Sequence, residues 1–127
     1  MTDSFVVING ARIRCRDSGG DGPAVLMTHG IGESLEFWHR QFDDLGPSLR
    51  LIAWDMPGHG LSDESADAMS LEGQARVAWS LLDQLGVQRV HLVGNSLGAA
   101  MFSSTASARL FTRSASNPGS STTPSRW

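Results

Sequence analysis

Apolar positions in this chain fall into short runs separated by glycine-containing loops, and the spacing within each run predicts an element. Phe5-Val6-Val7-Ile8 is followed by Asn9-Gly10, a pair that accepts the positive φ angles of a type I′ turn, so the chain opens as a β-hairpin. The return strand alternates strictly, with Ile13 and Cys15 on one face and Arg12, Arg14 and Arg16 on the other. A loop from Asp17 to Pro23 leads into Ala24-Val25-Leu26-Met27, an unbroken apolar run of the kind found in a strand covered on both faces. Leu51-Ile52-Ala53-Trp54 is a second such run and Val90 to Val93 a third, the last expected as a central strand. Between them lie a helix-like stretch from about Leu35 to Leu45 and a helix that Ser70 caps and that runs to about Leu85. In the latter, Leu71, Ala75, Ala78, Leu82 and Leu85 share one face and Gly86 ends it. A hairpin passing into β-α-β-α-β order predicts an α/β sheet, largely parallel after the hairpin.

That order stops near Met101. Phe102 to Trp127 holds eight serines, four threonines, three arginines and no acidic residue. The expected division is therefore residues 1–101 as an ordered α/β unit and 102–127 as a Ser/Thr/Arg-rich tail. Ala99 to Arg113 has the composition to extend a helix, and Asn117 onward reads as disordered. Such a break suggests a reading frame shifted or cut near Met101; the alternative is a natural low-complexity terminus.

Composition narrows the class. Forty per cent apolar residues in 127 describe a soluble globular protein. No apolar run approaches the roughly 20 residues that cross a bilayer, and the N-terminus shows no signal peptide. The single cysteine, Cys15, excludes an internal disulfide; it reads as a reduced strand thiol in a reducing, cytoplasmic setting. A net charge of −3 gives no electrostatic reason to expect nucleic acid.

Chemistry enters at Gly94-Asn95-Ser96-Leu97-Gly98. A lone Gly-x-Ser-x-Gly carries little weight in a chain rich in both residues, but this one lies where an apolar strand meets a candidate helix, the setting the motif requires. A tight strand-to-helix turn forces the serine into strained backbone and lifts its hydroxyl above the sheet edge, and a Cβ at Gly94 or Gly98 would collide across the turn. Two further loops follow strands in the same way: His29-Gly30-Ile31-Gly32 after the first buried run, and Asp55-Met56-Pro57-Gly58-His59-Gly60-Leu61-Ser62 after the second. The C-terminal strand edge is where open α/β sheets place ligands.

With these motifs in this order, the sequence closely resembles the α/β-hydrolase superfamily from about Phe5 to Met101. The resemblance implies that Ser96 is a nucleophile forming an acyl-enzyme, with the backbone N–H groups of Leu97 and Ile31 as an oxyanion hole. It implies that His29 holds its loop by hydrogen bonds, that Asp55 braces the Pro57-Gly58 turn, and that Gly30, Gly94 and Gly98 shape the loops. Ser96 argues against the haloalkane dehalogenase branch, which needs an aspartate. The implied chemistry uses no cofactor and no metal; its partner is a small ester-like molecule, with neither nucleic acid nor membrane involved.

The bland readings stand beside these. Ser96 is a mere helix cap in the first of them. His59 is a candidate base but reads first as a turn histidine, His39 and His91 as structural or solvated, and Trp38, Trp54 and Trp79 as packing residues. The family's triads run Ser, then Asp or Glu, then His, yet no Asp, Glu or His follows Ser96. The resemblance thus leads to an expected chain about twice this length. The function expected by family is a serine hydrolase acting on carboxylic esters, lactones or carbon–carbon bonds of ring-cleavage products. The alternatives are an inactive fragment, or a binding module that uses, or self-associates through, an exposed sheet edge.

Overall fold

The computed structural model describes residues 2–102. Asn9 and Gly10 take φ of 50° and 83°, and the hairpin they turn joins β1 (Asp3–Ile8) to β2 (Ala11–Asp17) in antiparallel register, Val6 opposite Ile13. The two unbroken apolar runs become β3 (Ala24–Thr28) and β4 (Arg50–Trp54), and the third contributes β5 (His91–Gly94). The strands form one five-stranded sheet in the order β1-β2-β4-β3-β5. β4 pairs antiparallel with β2 and parallel with β3, and β3 pairs parallel with β5, Val25 opposite His91 and Thr28 opposite Gly94.

The lack of alternation in β3 and β4 has a direct cause: both sheet faces are covered. Leu26, Ile52 and Trp54 belong to one apolar cluster with Ala75, Ala78, Trp79, Leu81 and Leu82 of α2 (Leu71–Gln84). Met27, Leu51 and Ala53 point the other way, into a smaller cluster with Leu35, Trp38 and Phe42. The stretch from Leu35 to Leu45 is a 3-10 turn, Leu35–Trp38, continued by α1 (His39–Leu45). The Ser70 hydroxyl accepts the Gly73 N–H at 2.9 Å as the cap of α2, and Gly86, at φ 73°, takes the chain out of that helix.

Three expectations need correction. β5 is an edge strand among the described residues rather than a central one, and Val93 is 41% exposed. Leu71 lies exposed at the first turn of α2, while Val77, Trp79 and Leu81 widen the buried face beyond the single expected stripe. Arg14, on the polar face of β2, is only 5% exposed because acidic side chains enclose it. The chain ends its described course in α3 (Leu97–Ala100) and a buried Met101. The helix extension to Arg113 and the disordered tail fall outside the described residues. Among those described, no helix is long and apolar enough to cross a membrane.

Candidate active site

Three loops meet at the C-terminal edge of the sheet, one leaving each of β3, β4 and β5. The tightest belongs to Ser96, which has φ 57° and ψ −113° between β5 and α3. A non-glycine residue in that region is strained by roughly 1–3 kcal/mol and persists only where its surroundings impose it. The surroundings here are hydrogen bonds on both sides: the Asn95 N–H donates to the Thr28 carbonyl at 3.0 Å, and the Gly98 N–H to the Asn95 carbonyl at 3.0 Å. Close packing does the rest. A Cβ on Gly94 would stand 2.5 Å from the Ala99 nitrogen, and one on Gly98 would strike the Thr28 carbonyl and lie 2.6 Å from that of His29. Ser96 itself is exposed. Its side chain makes no cap hydrogen bond to α3, which removes the usual reason for a serine at that position.

His29 is fully buried, and both its ring nitrogens are committed. Nδ1 donates to the Gly30 carbonyl at 2.7 Å, and Nε2 accepts the Met56 N–H at 3.1 Å. Those partners fix the neutral Nδ1–H tautomer and tie the β3 loop to the β4 loop. Burial pushes the pKa of His29 down, against the raising effect of its bond to Gly30. The His59 ring centroid lies 5.0 Å from that of His29, and His59 Nδ1 donates to the Pro57 carbonyl at 3.1 Å. His39 and His91 are exposed, whereas Trp38, Trp54 and Trp79 are buried.

Asp55, also fully buried, gathers more than the single turn expected of it. Its carboxylate accepts Arg14 Nε at 2.6 Å and Arg14 Nη2 at 3.3 Å, together with the backbone N–H groups of Leu35 and Leu61, each at 2.8 Å. Its backbone carbonyl accepts the Ser62 hydroxyl at 2.8 Å. Arg14 in turn donates to both oxygens of Glu36, at 2.8 and 2.6 Å, and to Asp3 at 3.2 Å. The Arg14 guanidinium holds the Glu36 carboxyl down at about 2.

Sequence reasoning passed over Glu33, whose Oε1 accepts the Gly30 N–H at 2.8 Å and Asn95 Nδ2 at 3.1 Å. The only signal was its position three residues after a glycine that must lack a side chain: a Cβ on Gly30 would lie 2.7 Å from that same oxygen. Arg14 was equally hidden, as one of three arginines in strict alternation.

Comparison with known proteins identifies the fold family. The family model for the alpha/beta hydrolase fold matches residues 23–110. The chain is 37% identical over 109 residues to a 2-hydroxy-6-oxononadienedioate/2-hydroxy-6-oxononatrienedioate hydrolase of Comamonas testosteroni, covering 78% of this chain and 38% of the relative. It is 32% identical over 97 residues to the dihydrolipoyllysine-residue acetyltransferase component of the acetoin cleaving system of Cupriavidus necator, covering 76% of this chain and 26% of the relative. Among solved structures, an N-acyl homoserine lactonase complexed with N-butanoyl homoserine superposes with a TM-score of 0.76 at 30% identity, over 89% of this chain and 41% of that one. The matched part of the chain thus spans between 26% and 41% of the length of these relatives.

Proposed function

Because the chain belongs to the alpha/beta hydrolase family, we propose that it carries the nucleophile and oxyanion-hole part of a serine hydrolase, with Ser96 as nucleophile. The observation that carries this reading is the Ser96 backbone, strained at φ 57° and exposed at the end of β5. Strain of that kind is retained where a hydroxyl must be presented rather than folded into a helix cap. In the proposed reaction the Ser96 oxygen attacks the carbonyl carbon of a small ester, lactone or ring-cleavage product as its proton passes to a base. The adduct collapses by breaking the C–O bond (or C–C bond) to the leaving group, which takes that proton, and water then attacks the acyl-enzyme to release the acid and restore the Ser96 hydroxyl. The Leu97 and Ile31 N–H groups receive the negative charge, at about 3 kcal/mol for each donor. Relatives named as a dienedioate hydrolase and a homoserine lactonase support the substrate class.

A serine nucleophile needs a base to take its proton. No Asp, Glu or His follows Ser96, and among the histidines before it His29 has both nitrogens engaged. A serine hydroxyl without a base is a poor nucleophile, although an oxyanion hole and binding alone retain roughly 10³–10⁴-fold over water. A second reading, in which Ser96 is only a structural turn residue, rests on the engagement of both His29 nitrogens.

Hydrolysis of an activated aryl acetate by the purified chain, with and without added imidazole, separates the two. Slow turnover that rises with imidazole, disappears in Ser96→Ala and leaves an acetylated Ser96 peptide in mass spectrometry is the expected result. A Ser96→Ala rate equal to that of the wild type would overturn the nucleophile reading. Fast turnover without imidazole would instead identify a base within the chain, with His59 the first to replace.

A further inference from the structure

An oxyanion hole assembled from two loops needs something to hold the loops at a fixed separation, and we propose that Glu33 is this positioning residue, clamping the loop after β3 to the turn that carries Ser96. The inference takes its catalytic meaning from the reading of Ser96 above, while the clamp itself rests on contacts.

The loop after β3 is anchored at both ends. At its start, the Asn95 N–H bonds to the Thr28 carbonyl and His29 Nδ1 to that of Gly30; at its far end, the Leu35 N–H bonds to Asp55. Between those anchors lies Ile31, 72% exposed, whose N–H is one of the two proposed donors. Glu33 spans this interval. Its Oε1 takes the Gly30 N–H, one residue before Ile31, and Asn95 Nδ2, two residues before Leu97. One carboxylate oxygen therefore bonds both loops, each within two residues of its donor. Hydrogen bonds to an ionised acceptor are roughly twice as strong as neutral ones. The Glu33 N–H closes the turn on the Gly30 carbonyl at 3.1 Å, which keeps the side chain over the junction. The approach leaves no spare room: a Cβ on Gly30 would also stand 3.2 Å from Asn95 Nδ2 and 3.3 Å from the Asn95 carbonyl. Gly30 is thus required for the clamp as well as for the loop.

The test uses the full chain labelled with ¹⁵N and ¹³C. Through-hydrogen-bond couplings from the Gly30 amide nitrogen and the Asn95 side-chain nitrogen to the Glu33 carboxylate carbon are expected in the wild type and in Ser96→Ala. Both should vanish in Glu33→Ala. In the imidazole-assisted aryl ester assay, Glu33→Ala should lower the Ser96-dependent rate by roughly ten- to a hundredfold, the scale of a misplaced reacting group. The loss should fall on kcat rather than KM, and Glu33→Gln, which keeps an acceptor oxygen, should recover most of it. Absence of either coupling in the wild type overturns the clamp, as does an unchanged kcat in a folded Glu33→Ala. Both couplings present, with a wild-type rate no higher than that of Ser96→Ala, would support the clamp while overturning the nucleophile.

Discussion

Replacing Asp55 by alanine should be among the most damaging single changes in this chain, and the structure allows its size to be worked out. The carboxylate is buried and accepts two donors from Arg14 and one each from the Leu35 and Leu61 backbones. Breaking a buried ion pair from one side costs about 3–5 kcal/mol. Arg14 keeps Glu36 and Asp3, so the lower end applies. The buried Leu35 N–H loses its acceptor, a further cost of about 1–3 kcal/mol; the Leu61 N–H lies at an exposed residue and adds little. The total is about 5 kcal/mol, equal to the whole stability of a marginal domain. Urea unfolding followed by tryptophan fluorescence, with the buried Trp54 as reporter, gives the midpoint and slope. Asp55→Asn, which retains one acceptor oxygen, should lose less. In a cycle with Arg14→Met, the double variant should lose at least about 1 kcal/mol less than the two single changes added. An Asp55→Ala protein within 1 kcal/mol of wild type, or strict additivity with Arg14→Met, would refute this account of Asp55 as the tie between loops.

Acid should act through His29. Its folded pKa lies below the ordinary 6.5, so the unfolded chain takes the proton more readily; the resulting stability is complete above pH 6.5 and is lost as pH falls towards the depressed value. Imidazole ¹⁵N shifts should show His29 titrating below 6.5, and titration at or above 6.5 would contradict the buried tautomer. The Glu36 contribution has the same sense, complete above the unfolded value of 4.5 and lost as pH falls from there towards about 2. Gly98→Ala should cost about 3 kcal/mol or more, since its Cβ meets the carbonyls of Thr28 and His29. Gly20→Ala, at φ 87° with no atom within 4 Å, should cost only the left-handed strain of about 1–2 kcal/mol; equal losses in chemical denaturation would contradict the tight elbow. Finally, the edge that β5 forms among the described residues should give concentration-dependent association in sedimentation velocity, reduced by Val93→Lys, because a lysine on an edge discourages further pairing. A wild-type chain that stays monomeric at all concentrations would speak against it.

Elements with a local cause could be read from sequence. Asn9-Gly10 announced its hairpin, Ser70 and Gly86 bracketed α2, and the unbroken runs of β3 and β4 reported a sheet covered on both faces. The fold family could be read too, because its three loops each follow a strand. What escaped depends on partners distant in the chain. Arg14 looks like a solvated arginine until Asp55 and Glu36 close around it. The apolar run before Gly94 looks central by composition, yet its place in the sheet is decided by which strands lie beside it. Glu33 is marked in sequence only by its spacing from Gly30, because its role is a contact with Asn95, which reaches it only through the pairing of β3 with β5.

That pairing also sets an order in time. The β1–β2 hairpin closes on itself within about 1–10 μs once its residues are available, whereas Val25 must wait for His91. Closing so long a segment costs entropy before any contact repays it, and during synthesis at roughly 5–20 residues per second the delay amounts to seconds. The turn at Ser96 is therefore the last corner of the described sheet to take shape. Until β5 arrives, β3 offers an open flank of its own, so the same strand that later supports the turn at Ser96 is, in the newborn chain, the place where pairing with a wrong partner must be avoided.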